Sequence, residues 1–225
     1  MPNIKSGLEY IHKKNFINSN TVSKIVSRLN VIESEKVYPS IHDHIIELTP
    51  TETSSESLFN DIRKKIELFF NTSYELTDLK LTKLWLSSST SKHVKARELP
   101  YIPHFDKQRY MKAMVYLHSV TKNHGPIYLG KAKNAAEIER RRNILPADYK
   151  TRSLNTIEDK DLEGSMNQIT GSAGDVIFFD TNTPHKAGIL KEGYKRRVLR
   201  FDFELDGFNE KKSFTKRLLK KLINR

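Results

Sequence analysis

From Leu79 to Phe203 the chain breaks into short runs: LKLTKLWL, RYMKAMVYLHSV, GPIYL, DVIFFD and RRVLRFDF. Aromatic and β-branched residues dominate them, and Gly, Pro, Asn or Asp close most of their ends, the pattern of strands on a half-buried pleated surface. Runs this short bury nothing alone and must be assembled into sheets. Two amphipathic stretches precede them. In NSNTVSKIVSRLN, Val22, Ile25, Val26 and Leu29 fall at i, i+3, i+4 and i+7 behind Asn and Ser caps. In TSSESLFNDIRKKIELFF, Thr53 and Glu56 have capping-box spacing, and Leu58, Ile62 and Ile66 repeat every four residues. Helices followed by many short strands predict an α+β fold with a sandwich or jelly-roll core on which the helices pack. Residues 133–168 interrupt the strands with a polar stretch containing Arg140, Arg141 and Arg142, which predicts a lid or mobile loop.

Within 225 residues there is no cysteine, so any metal must be held by His, Asp or Glu. No apolar run is long enough to span a bilayer and the start, MPNIKSGLEY, is too polar for a signal peptide, so a cytoplasmic location is expected by default. The formal net charge of +12 is concentrated at one end: residues 211–225, KKSFTKRLLKKLINR, carry seven Lys or Arg and no acid, leaving +5 for the rest. The reading is therefore one domain over 1–208 and a separable basic tail over 209–225. Phe214, Leu218, Leu219, Leu222 and Ile223 follow helical spacing in that tail, so it reads as a basic amphipathic helix suited to an anionic membrane, an acidic partner or its own domain. The mildly basic remainder, and a tail in which Phe214 is the single aromatic among the cations, argue against a specific nucleic-acid partner.

Of the eight histidines, His12, His93, His118 and His124 stand alone in polar or mixed surroundings. His42 and His44 flank Asp43 without a third ligand candidate nearby. His104 differs: PYIPHFDKQRYMKAMVYL places it two residues before Asp106, just ahead of a strand, and on extended backbone i and i+2 point the same way. One further histidine would complete a two-His-one-carboxylate triad with three coordination positions open.

The segment GSAGDVIFFDTNTPHKAGILKEGYKRRVLRFDF leads through a buried strand and a loop to His185, 81 residues beyond His104, with Arg196 another 11 beyond it. Here the chain resembles the phytanoyl-CoA dioxygenase family of 2-oxoglutarate/iron(II) oxygenases, which carry His-x-Asp, a Gly-Asp-apolar-Phe-Asp strand before the distal His, and an Arg on the last core strand. NHGPIYLGKAKN resembles the family's NGPL strand, although Gly130, Lys131 and Ala132 replace its usual Gly-Ser-His, and KNFINSNTVSKIVSRLN resembles its opening element.

The resemblance implies a double-stranded β-helix (jelly-roll) core with flanking N-terminal helices. It implies Fe(II) held by His104, Asp106 and His185, and 2-oxoglutarate chelating the metal while an arginine grips its distal carboxylate. Family spacing favours Arg196, with Arg197 and Arg200 as alternatives on the same strand. The implied activity is hydroxylation, or a related oxidation, of a small-molecule substrate, with release of succinate and CO2; retention of Asp106 sets the chain apart from halogenating relatives. On the strand after Asp106, Tyr110, Lys112, Met114 and Tyr116 share one face and are candidates to line the site. Two rivals stand beside this reading: a nucleic-acid-directed oxygenase of the same superfamily, and a jelly-roll binding protein without turnover.

Overall fold

The computed structural model describes residues 10–35, 40–42, 44–48, 57–145 and 154–205. The chain is α+β, and its strands pair antiparallel throughout the described residues. In order along the chain the strands are β1 (Ile11–Lys13), β2 (Ser40–His42), β3 (Ile45–Glu47), β4 (Leu79–Thr90), β5 (Met111–Tyr116), β6 (Ile127–Leu129), β7 (Asn167–Gln168), β8 (Val176–Asp180), β9 (His185–Ala187) and β10 (Lys195–Leu205). A seven-stranded sheet runs β1-β8-β5-β10-β4-β3-β2, and a three-stranded sheet runs β7-β6-β9.

Two helices cover one face of the large sheet. Helix α1 (Ser19–Glu35) begins where Asn18 accepts the Thr21 N–H at 2.8 Å, and it runs five residues past the predicted stretch because Ile32 extends the apolar stripe of Val22, Ile25 and Leu29. Helix α2 (Ser57–Tyr74) buries Phe59, Ile62, Ile66 and Phe70. The predicted capping pair, Thr53 and Glu56, lies outside the described residues. Both stripes join one core with Leu84, Leu86, Ala113, Val115, Phe178, Leu199, Phe201 and Phe203 from the large sheet.

The other face of the large sheet packs against the small one. Tyr116, Ile177, Phe179 and Val198 meet Ile127 and Leu129 of β6 in a second cluster. Period-two alternation thus assigns each side chain of β5 and β10 to the helices or to the inter-sheet space. Met111, Ala113 and Val115 go outward, while Tyr116 and the half-buried Met114 go inward. Gly125 sets the entry to β6: its φ is +61°, and a Cβ there would lie 2.5 Å from the Gly188 carbonyl oxygen, so only glycine fits without displacing backbone.

The excursion at 133–168 is built into the domain wherever it is described. Helix α3 (Ala135–Asn143) starts on Asn134, whose side chain accepts from the Glu137 N–H at 3.1 Å, and it buries Ile138 and Arg142. Ile138, Leu145, Ile157 and Leu162 close a third apolar cluster around Phe105. The predicted lid is, in these parts, a packed buttress. The tail, 209–225, lies outside the described residues, and β10 ends at Leu205.

Candidate functional site

His104, Asp106 and His185 come together with one ligand atom of each within 4.8 Å of the others. The segment carrying His104 forms a reciprocal backbone pair with the first residue of β9: the His104 N–H donates to the His185 carbonyl at 3.0 Å, and the return bond is 2.9 Å. Phe105 faces the opposite way, fully buried among the α3 cluster, so the extended His-Phe-Asp segment anchors by its middle residue and presents the outer two to one point.

The imidazoles are oriented by their own loops. His104 Nδ1 lies 2.8 Å from the Ile102 carbonyl oxygen, and His185 Nδ1 lies 2.8 Å from the Thr183 carbonyl oxygen. A carbonyl can only accept, so each Nδ1 donates, and Nε2 is the ring nitrogen left facing the centre. Both Nε2 atoms face the same carboxylate oxygen, with Asp106 Oδ1 at 3.7 Å from His104 and 3.2 Å from His185. The arrangement can offer two imidazole nitrogens and a carboxylate oxygen to one cation, with backbone partners fixing the ring orientations as in metal sites.

Charge within the cluster favours a metal-ready state. Burial, and then neighbouring His185, push His104 down to about 3 against the opposing pull of Asp106, so its imidazole stays neutral. Burial alone would raise the Asp106 carboxyl, but the Lys112 ammonium, His185 and His104 outweigh it and hold it well below the usual carboxylate range. Lys112, buried on the inner face of β5, donates to Asp106 Oδ2 and leaves Oδ1 toward the histidines.

The predicted lining set divides. Lys112 touches the triad's carboxylate, Tyr116 and Met114 belong to the inter-sheet cluster, and Tyr110 donates its hydroxyl to Gln108. The three candidate arginines of β10 part company as alternation dictates. Arg197 faces the helices and bonds Glu33 at 2.7 Å and Asn30 at 2.9 Å on α1. Arg196 and Arg200 lie on the other face. Arg200 lies over the Trp85 ring at 4.0 Å with its Nε 2.9 Å from Asp202 Oδ1.

Arg196 is 9% exposed and donates to the Gly125 carbonyl, beside Tyr101 and Tyr116. Burial lowers its pKa, opposed by those two tyrosines, and no carboxylate pairs with it among the described residues. A buried guanidinium without an anion is a costly arrangement that a bound carboxylate would relieve.

Two supports escaped the sequence reading. Arg109 forks onto Asp180 at the end of β8, with contacts of 2.6 and 2.9 Å to Oδ2. Arg142 of α3, noted in the sequence only as part of a basic run, donates to the Asp106 main-chain carbonyl at 2.9 Å. Arg-Asp complementarity around the FD strand was the available hint for the first; no spacing rule connects α3 to the His-x-Asp loop.

No protein-family model matches the sequence, and no curated protein is detected as its relative. Solved structures do match. One is the non-heme alpha ketoglutarate dependent epimerase SnoN from nogalamycin biosynthesis, at TM-score 0.60 and 14% identity over 87% of this chain and 77% of that one. HygX from Streptomyces hygroscopicus, solved with nickel and 2-oxoglutarate bound, matches at TM-score 0.58 and 14% identity over 88% and 83%. A Pseudomonas putida prolyl-4-hydroxylase matches at TM-score 0.54 and 15% identity over 88% and 93%. At such identities the likeness is one of fold, and that fold is shared with 2-oxoglutarate-dependent non-haem enzymes.

Proposed function

We propose that this chain is an Fe(II)- and 2-oxoglutarate-dependent oxygenase of the phytanoyl-CoA dioxygenase type, acting on a small-molecule substrate. The observation that carries the reading is the convergence of His104 Nε2, His185 Nε2 and Asp106 Oδ1, each with its other heteroatom already held by the protein. Two imidazoles and one carboxylate, with further positions left to small ligands, form the donor set of non-haem iron oxygenases. SnoN and HygX, which share the fold, have been solved with a metal ion and the keto acid.

The residues divide the work. His104, Asp106 and His185 hold the metal, and Lys112 keeps Asp106 ionised with one oxygen turned to it. Arg196 offers parallel N–H donors to the distal carboxylate of the keto acid from a dry position, where a charge-assisted fork is strongest. Dioxygen would be the oxidant: 2-oxoglutarate gives up two electrons as it becomes succinate and CO2, the substrate gives up two more, and bound iron would couple the two oxidations. Hydroxylation is the reaction most in keeping with a filled carboxylate position at Asp106. A cytoplasmic location remains part of this proposal; the structure itself shows only that no described helix is long and apolar enough to cross a membrane.

Anaerobic addition of Fe(II) and 2-oxoglutarate to the full chain tests the reading. Wild type is expected to develop the visible charge-transfer band of an iron–keto-acid chelate, and His185→Ala to lack it. An undiminished band in His185→Ala would show that the distal ligand lies elsewhere. Succinate release in air separates an oxygenase from a binding protein with the same site.

A further inference from the structure

His104 and Asp106 lie on the loop 104–109 before β5, and His185 opens β9 directly after the loop 181–184 that leaves β8. Several bonds join them directly: the reciprocal His104–His185 main-chain pair, the Asp106 N–H to the Thr181 carbonyl at 3.2 Å, the Thr181 N–H to the Tyr110 carbonyl at 2.9 Å, the Tyr110 N–H to Thr181 Oγ1 at 2.8 Å, and the Thr181 hydroxyl to the Gln108 carbonyl at 3.2 Å. A third body bridges both loops. Arg142, in the last turn of α3 and only 3% exposed, directs Nε to the Asp106 carbonyl at 2.9 Å and Nη2 to the Thr181 carbonyl at 3.3 Å. Its guanidinium carbon also stands 5.3 Å from the Phe105 ring centroid, so one planar group touches both residues that follow His104.

The guanidinium is itself held. Its Nη1 donates to Glu139 Oε2 at 3.2 Å, and the same oxygen accepts from Asn182 Nδ2 at 3.0 Å, in the loop that leads to His185. Arg109 Nη1 stands 3.8 Å from that oxygen while its fork engages Asp180. Burial lowers the pKa of Arg142, with Asp180 and Glu139 opposing, so the network counters the burial of its charge. Asn155 closes the outer side by donating to the Phe105 carbonyl at 2.6 Å. Donors on Arg142 thus satisfy main-chain acceptors at two ligand-bearing loops at once, which a lysine with its single terminal nitrogen would not reproduce.

We propose that Arg142 is a positioning residue of the metal centre: from α3 it fixes the Asp106 and His185 loops relative to each other, and so sets the geometry at which the ligands meet the cation. This rests on the reading of His104, Asp106 and His185 as metal ligands. Groups one shell out from a metal typically alter its affinity by about 10–100-fold when removed, because the ligands lose their orientation.

Cobalt(II) titrated into the full-length apo protein tests the inference through its visible ligand-field absorption, which reports affinity and coordination geometry together. Arg142→Lys and Arg142→Ala are expected to weaken cobalt binding about tenfold or more and to change the band positions. Ile138→Ala is the control. Ile138 packs α3 into the same cluster around Phe105 but makes no bond to either loop. It is expected to leave the band positions unchanged and to weaken affinity clearly less than either Arg142 variant, because it removes packing but no bond to the main chain of the ligand segments. Should Arg142→Ala fail to fold, Arg142→Lys carries the comparison alone. Wild-type bands and affinity in a folded Arg142 variant would overturn the inference, as would equal loosening in Ile138→Ala. If wild type binds no cobalt, it is the assignment of the metal site that fails instead.

Discussion

Lys112 stands where a structural cation and a bound metal compete for the same charge. Its ammonium bonds Asp106 Oδ2 in a buried setting, and Oδ1 faces the histidines. Removing one partner of a fully buried pair costs roughly 3–5 kcal/mol. The Asp106 side chain is 23% exposed, so a smaller loss, about 2–3 kcal/mol, is expected for the metal-free Lys112→Met variant. A divalent metal at Oδ1 would then supply much of the missing positive charge. Thermal unfolding with and without Ni(II) should therefore show a larger metal-induced rise in Tm for Lys112→Met than for wild type; equal rises would show that Lys112 and the metal do not share this carboxylate. That His104 and Asp106 share one side was legible in the sequence because alternation on extended chain puts i and i+2 together, and Phe105 is the outward residue between them; His185 was reached through the family resemblance, and Lys112 only as a candidate lining residue. Arg142 was not legible. Its bond to the Asp106 carbonyl spans 36 residues of chain and exists only because α3 packs on Phe105.

Strand β10 shows how far periodicity carries a functional assignment. The sequence divides Arg196 and Arg200 from Arg197 by face, and the register agrees, with Arg196 opposite Ser89 on β4 and Arg200 opposite Met114 on β5. Which face turns inward is decided by α1 and α2, whose stripes cover Leu199, Phe201 and Phe203 and leave Arg197 to Glu33. Arg196→Ala is accordingly expected to remove a charge-assisted contact of roughly 2–5 kcal/mol and to raise the apparent constant for 2-oxoglutarate by about thirtyfold or more. Iron binding alone should persist. Arg197→Ala should leave that constant near the wild-type value while loosening α1, read as a lower Tm. The reverse outcome, with Arg197→Ala impairing 2-oxoglutarate and Arg196→Ala not, would mean that the keto acid is gripped from another face. Element ends were less legible than element faces: α1 continues to Glu35 because Ile32 still finds the core. The excursion at 133–168 looked mobile because its polar composition hides the four apolar residues that pack round Phe105.

Across the whole molecule, the net charge is spread unevenly along the sequence. The described domain ends with β10 at Leu205, whereas seven of the cations lie in residues 211–225, outside the described residues. Among the described residues, His104, Asp106 and His185 are held by Ile102, Thr183, Lys112 and Arg142. A protein of residues 1–208 should therefore retain the iron–2-oxoglutarate band and the unfolding temperature of the full chain. The helical spacing of Phe214, Leu218, Leu219 and Leu222 among lysines, read from the sequence, makes surface binding a proposal to test beside docking on the parent domain, and one that would suit a lipid-linked or otherwise anionic substrate. Anionic surfaces attract such segments by roughly 1 kcal/mol per basic residue near the surface, and the attraction falls with ionic strength. Sedimentation with phosphatidylserine-containing vesicles should carry down the full chain at low salt, release it as salt rises, and leave 1–208 in the supernatant. Equal behaviour of the two proteins would remove the membrane role. A 1–208 protein that unfolds would instead show that the tail completes the domain, with its apolar stripe docked on the parent fold and its lysines in solvent.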